Sequence, residues 1–152
     1  MQLSSPAFNY GEPIPRIYTC DGQNINPPLV ISGVSQQAAS LVLIMEDPDV
    51  PPQIKINGLF VHWIVWDIPV NVNKIAQDSE PLGTVGYNTS GGTGYTGPCP
   101  PDREHRYFFK LFALDKNLAD VKISNRDDLL AAMEGHVLEE SGLMGVYDRA
   151  KK

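Results

Sequence analysis

Three short runs along the chain are mainly apolar and rich in β-branched or aromatic side chains. They are Leu41-Val42-Leu43-Ile44-Met45, His62-Trp63-Ile64-Val65-Trp66-Asp67-Ile68 and Tyr107-Phe108-Phe109-Lys110-Leu111-Phe112-Ala113-Leu114. Runs of this length and composition predict buried strands, being too short and too branched for helices. Weaker strand patterns fall at Ile14–Tyr18, Leu29–Ser32 and Leu138–Tyr147. One segment reads as a helix: Ser124 with Asp127 three residues on resembles a capping box, and Asp128 sits in the first turn. Leu129-Leu130-Ala131-Ala132-Met133 continues it, and Gly135 stops it. Thirteen glycines and thirteen prolines punctuate the rest. Many short strands with one late helix predict a mostly β chain, an antiparallel β-sandwich rather than a parallel α/β sheet.

With 152 residues, the chain fits a single domain over 1–152 with a real core. Its composition, 42% hydrophobic and 20% charged, speaks against disorder. The net charge of −6, with no basic cluster beyond Lys151-Lys152, demotes nucleic acid and anionic membranes as partners. No apolar stretch approaches the length of a membrane span, and the first residues show no signal-peptide pattern, so a cytoplasmic location is expected. Cys20 and Cys99 are too few for a disulfide framework or a four-cysteine zinc site. They read as free thiols in a reducing compartment, the alternative being a bridge that pins their two loops together.

Candidate chemistry gathers at strand ends. Asp47-Pro48-Asp49-Val50-Pro51 follows the first strong strand, His62 opens the second, and His105-Arg106-Tyr107 opens the third. Before the third lies a loop rich in glycine and proline, closing on Gly97-Pro98-Cys99-Pro100-Pro101. A structureless loop of that length is often functional, although a plain surface loop has the same composition. Neighbouring antiparallel strands would bring these ends into one small cleft. Singly, each part has a structural reading: Asp-Pro-Asp makes turns, a histidine before tryptophan sits in many sheets, and Arg106 can pair with Asp47 or Asp49.

Together they resemble the phosphatidylethanolamine-binding protein family, which includes the Raf kinase inhibitor proteins, and most closely its prokaryotic YbhB/YbcL branch. Asp47-Pro48-Asp49-x-Pro51 is similar to the family's first signature, and Gly97-x-x-Pro100-Pro101 with His105-Arg106-Tyr107 to its second. Further likeness runs through Tyr18-Thr19-Cys20-Asp21-Gly22, Asn26-Pro27-Pro28-Leu29 and His136 to Tyr147. The resemblance implies a large central sheet packed on a smaller one, with Greek-key connections and one or two short helices. It also implies a pocket for phosphate-like or carboxylate groups. Asp47, His62 and His105 would form its polar core, and Pro51, Gly97, Cys99, Pro101 and Tyr107 would line it. Phe60 and Trp63 would be its walls.

The expected function is therefore a non-enzymatic binding protein, without cofactor or metal, that captures a small phosphorylated or anionic ligand. A regulatory or kinase-inhibitor-like role is the further implication. Histidine N–H groups and a glycine-rich backbone nest would be the anion-holding devices in an acidic protein. On that reading, phosphate capture strengthens below about pH 6.5, where unperturbed histidine charges. The competing class is a hydrolase on the same pocket, with a metal held by Asp47, Asp49 and the histidines, or with Cys99 as nucleophile and His105 as base. A docking module, with a protein partner or a homodimer, is the third.

Overall fold

The computed structural model describes residues 1–151; Lys152, half of the basic pair at the end of the sequence, lies outside the described residues. Two antiparallel sheets pack face to face. The smaller contains β1 (Gln2–Ser4), β2 (Leu29–Ser32) and β5 (Lys74–Ile75) in the order β1-β2-β5. The larger contains β3 (Ser40–Asp47), β4 (Phe60–Ile68), β6 (Thr84–Val85), β7 (His105–Leu114) and β8 (Val137–Tyr147), in the order β6-β4-β3-β7-β8.

The central strand β3 explains why its sequence is unbroken by polar residues. Every one of its residues is buried, because both faces of the large sheet are covered there. Leu41, Leu43 and Met45 face the small sheet with Leu3, Leu29, Ile31, Phe109 and Leu111. Val42 and Ile44 face the other way, onto Leu129 and Met133 of α1 (Arg126–Met133). On β7 the alternation is plain: His105, Tyr107, Phe109, Leu111 and Ala113 point inward, while Arg106 is exposed and Phe108, Lys110 and Phe112 are half-buried on the outer face.

Three expectations are corrected. The strand expected at Ile14–Tyr18 is instead a single 3₁₀ turn at Arg16–Tyr18, because Pro13 and Pro15 lack the N–H groups that a ladder needs. The helix cap falls one residue later than Ser124: Asn125 accepts from the Asp128 N–H, and Asp128 in return accepts from the Ser124 N–H. Gly135 does end the helix, with φ +79°. Cys20 and Cys99 are not free thiols but a disulfide with a Cα–Cα distance of 5.5 Å. The Cys20 N–H to Pro98 carbonyl bond (3.1 Å) runs alongside it.

The open edge of β8 is partly fenced by the N-terminal segment. Gly11 N–H and Ile14 N–H donate to the Met144 and Val146 carbonyls, and Val146 N–H returns a bond to Glu12. Among the described residues no helix is long and apolar enough to cross a membrane.

Candidate functional site

The site grows from the ends of β3, β4 and β7. Strand alternation puts Asp47, His105 and Tyr107 on the inner face. His62 reaches that face by another route. On β3, Met45 and Glu46 are consecutive, whereas their partners on β4 are Trp63 and Val61. His62 is therefore the extra residue of a β-bulge, a device that re-aims a side chain at the rim of a sheet. Its ring lies 4.7 Å from that of Phe60 and 5.3 Å, edge-on, from that of Tyr107. The Tyr107 ring in turn stacks at 6.4 Å on His105.

The two histidines are held in different ways. Nδ1 of His62 donates to the Thr96 carbonyl (2.6 Å), which fixes the tautomer and leaves Nε2 as an acceptor. Burial pushes its pKa down to about 4, so this ring is neutral at ordinary pH. His105 has no exposed surface, and both its nitrogens meet carboxylates: Nδ1 with Asp47 Oδ2 at 2.6 Å, Nε2 with Asp102 Oδ1 at 2.7 Å. Only the doubly protonated ring donates to both. Asp47 is pushed up by burial against the opposing pull of His105. Its second oxygen, Oδ1, accepts from the Asp49 N–H (2.7 Å), as Asp-Pro-Asp predicts for a turn. Arg106 pairs with Asp49 through two side-chain bonds of 3.0 and 2.8 Å and takes no part in the pocket.

The Tyr107 hydroxyl is buried without a protein hydrogen-bond partner. Burial, with help from Asp47, Asp49, Tyr95 and Asp102, raises its pKa, so it is a committed O–H. Buried polar groups are nearly always partnered; among the described residues the Nε1–H of Trp63, in the core, is the other unmet one.

The remaining expected residues are placed less centrally. Gly97 abuts the Tyr18–Asn24 segment so closely that a Cβ would stand 2.2 Å from the Tyr18 carbonyl oxygen. Its N–H donates to Asn24 Oδ1 (2.7 Å), and that of Thr96 to the His62 carbonyl (3.0 Å). Those two N–H groups of the expected glycine nest are spent within the protein. Cys99 is exposed at the rim with its sulfur in the disulfide, Pro101 is exposed beside Asp102, and Pro51 closes a turn by accepting from Ile54 and Lys55. Phe60 walls the site, whereas Trp63 is core, its ring edge-on to Tyr95 at 5.4 Å. Sequence reasoning did not find Thr96 and Asp102, the partners that set the states of the two histidines. Asp102, three residues before His105, carried a local signal as a side chain able to reach back to the ring.

Among the described residues no group of three histidine, cysteine, aspartate or glutamate side chains converges as a metal site. A cleft of about 360 Å³ opens outside Asp102, lined by Pro100, Pro101, Arg103, Asp148, Arg149 and Ala150.

The family model described as phosphatidylethanolamine-binding protein matches residues 4–148. A UPF0098 protein of Chlamydia pneumoniae is 51% identical over 150 residues, 99% of this chain and 100% of that protein. The crystal structure of the PEBP homolog CT736 from Chlamydia trachomatis D/UW-3/CX superposes with a TM-score of 0.94 at 47% identity, covering 97% of each chain. That of E. coli YbcL, titled a member of the mammalian PEBP family, superposes with a TM-score of 0.82 at 28% identity, covering 96% of each.

Proposed function

This chain belongs to the phosphatidylethanolamine-binding protein family, and from that premise we propose that it is a non-enzymatic binding protein for a small phosphorylated group. The unmet hydroxyl of Tyr107, whose ring packs against those of His62 and His105, is the observation that carries the reading. The groups around it make a mixed set. Tyr107 O–H and an N–H of His105 donate to anionic oxygens, and the Nε2 lone pair of His62 accepts a hydrogen bond. That set favours a phosphate that still carries one proton over a fully ionised one. The hydrolase alternative loses its thiol nucleophile while Cys99 is bridged, and among the described residues no metal ligand set supports its other form.

This reading gives phosphate binding a pH dependence of its own. His62 does not charge until about pH 4, so it supplies no gain between pH 8 and 5. The second ionisation of a phosphate monoester, at about pH 6, does: its monoanion offers a hydrogen to His62 and its dianion does not. Titration with phosphorylethanolamine, followed by NMR at His62 and His105, should show saturable shifts, tighter at pH 6 than at pH 7.5. Tighter binding at pH 7.5, or ligands that leave both rings unmoved, would sink the proposal.

The cytoplasmic location expected from the sequence requires the Cys20–Cys99 bridge to be open in the cell, since such bonds persist mainly in oxidising compartments. Acid-quenched, thiol-trapped protein run on a non-reducing gel decides this. A reduced pair agrees with the cytoplasm, and an intact bridge counts against it.

A further inference from the structure

We propose that Asp102 is a built-in competitor for the anion pocket, its carboxylate occupying the His105 N–H that a bound phosphate would use. The inference rests on the pocket reading above and adds the way the pocket is controlled. Asp102 does not belong to the strand framework. It sits in the short exposed connection between Pro101 and His105, and its side chain keeps 40% of its surface in solvent while one oxygen reaches the fully buried His105 Nε2 at 2.7 Å. A carboxylate presents to that N–H the same acceptor chemistry as a phosphate oxygen.

The local charge makes the competition strict. Two carboxylates, Asp47 and Asp102, close on the one ring of His105, while Asp49 is paired with Arg106. The closed site therefore presents carboxylate oxygens where an incoming anion would have to bind, and repels it. With Asp102 turned away, one carboxylate leaves the ring and Nε2 is open to another acceptor. Asp102 has somewhere to go. Its other oxygen already lies 3.8 Å from Nε of Arg103, an exposed side chain at the edge of the outer cleft. The side chain can exchange His105 for a solvent-exposed cation without leaving the loop.

A pocket open for only a fraction of the time binds with an affinity reduced by that fraction. If Asp102 holds the site closed for about nine-tenths to ninety-nine hundredths of the molecules, removing it raises apparent phosphate affinity about ten- to a hundredfold. The test is a titration of inorganic phosphate into the wild type, Asp102→Ala and Asp102→Asn, following His105 Nε2 by ¹⁵N-edited NMR. Asn keeps the size of the side chain and removes its charge, so it remains informative should Ala disturb the loop. Tighter binding in either folded variant supports the competitor. Affinities equal to the wild type, or weaker, overturn it while leaving the pocket standing. Phosphate that fails to move His105 in all three proteins overturns the pocket and the competitor together.

Discussion

Glu46 and Asp47 are neighbours on β3, both buried, and they face opposite sides of the large sheet. Glu46 is gripped from the outer face by Arg126, through a bond to Nε, and by Lys110 at 2.6 Å. These bases are charged at any physiological pH, and they hold its carboxyl below the usual range despite the cost of burial. Asp47 meets no permanent cation, only the His105 ring and the Asp49 N–H, and burial leaves its carboxyl above the usual range. The same residue chemistry, one position apart, thus yields a fixed strut on one face and a poised charge on the other. What separates them is the partner: a permanent cation locks a carboxylate, whereas a histidine shared between two carboxylates can exchange one of them.

The largest effect expected from this contrast is on the site face, in acid. His62 has a folded pKa depressed from about 6.5 to about 4, so its contribution to stability is fully present above pH 6.5 and is lost as pH falls towards 4. The unfolded chain gains that proton first, and the loss comes to about 3 kcal/mol. Urea unfolding across that range should show it, and His62→Phe should flatten the slope. A slope unchanged by His62→Phe would remove the buried neutral ring from the account. Asp47 has the opposite sign: its raised pKa gives stability present below its ordinary value of 3.8 and lost as pH rises through the folded value. Glu46 behaves as a depressed carboxyl, stabilising above 4.5 and losing that contribution below it.

A smaller effect is expected on the strut. Arg126→Ala leaves Glu46 with Lys110 alone and should cost about 2 kcal/mol, less than a fully buried pair would, because Arg126 is partly exposed. Phosphate titration of His62 and His105 in that variant should match the wild type. A variant that keeps its stability but alters the titration would show that the two faces are coupled rather than separate.

The sequence was most readable where one local rule acted alone. The apolar runs marked β3, β4 and β7, and alternation along β7 carried His105 and Tyr107 to the same face. It was least readable where position depended on the fold. The bulge that turns His62 inward is a mismatch of register between β3 and β4, which neither strand shows by itself. The Cys20–Cys99 bridge depends on a separation set by how two loops pack, so composition favoured thiols where the geometry makes a bond. Gly97 was expected to let the backbone approach a ligand, and the close neighbour it admits here is Tyr18–Asn24 of its own chain. Ile14–Tyr18 had the apolar content of a strand, and Pro13 before it with Pro15 inside it outweighed that.

The segment Gly11–Ile14, laid along the end of β8, bears on how copies of this chain can meet. A bare edge strand of 11 residues is a template for sheet extension and, repeated, for fibres. Here the stretch from Met144 to Val146 is already taken, and the strip that takes it includes Pro13, which has no N–H to offer a further strand. Growth of the large sheet by edge-to-edge addition is blocked at the end of β8 that pairs with His105, which leaves the far half of β8, the opposite edge at β6 and the edges of the small sheet as the places where another strand could add.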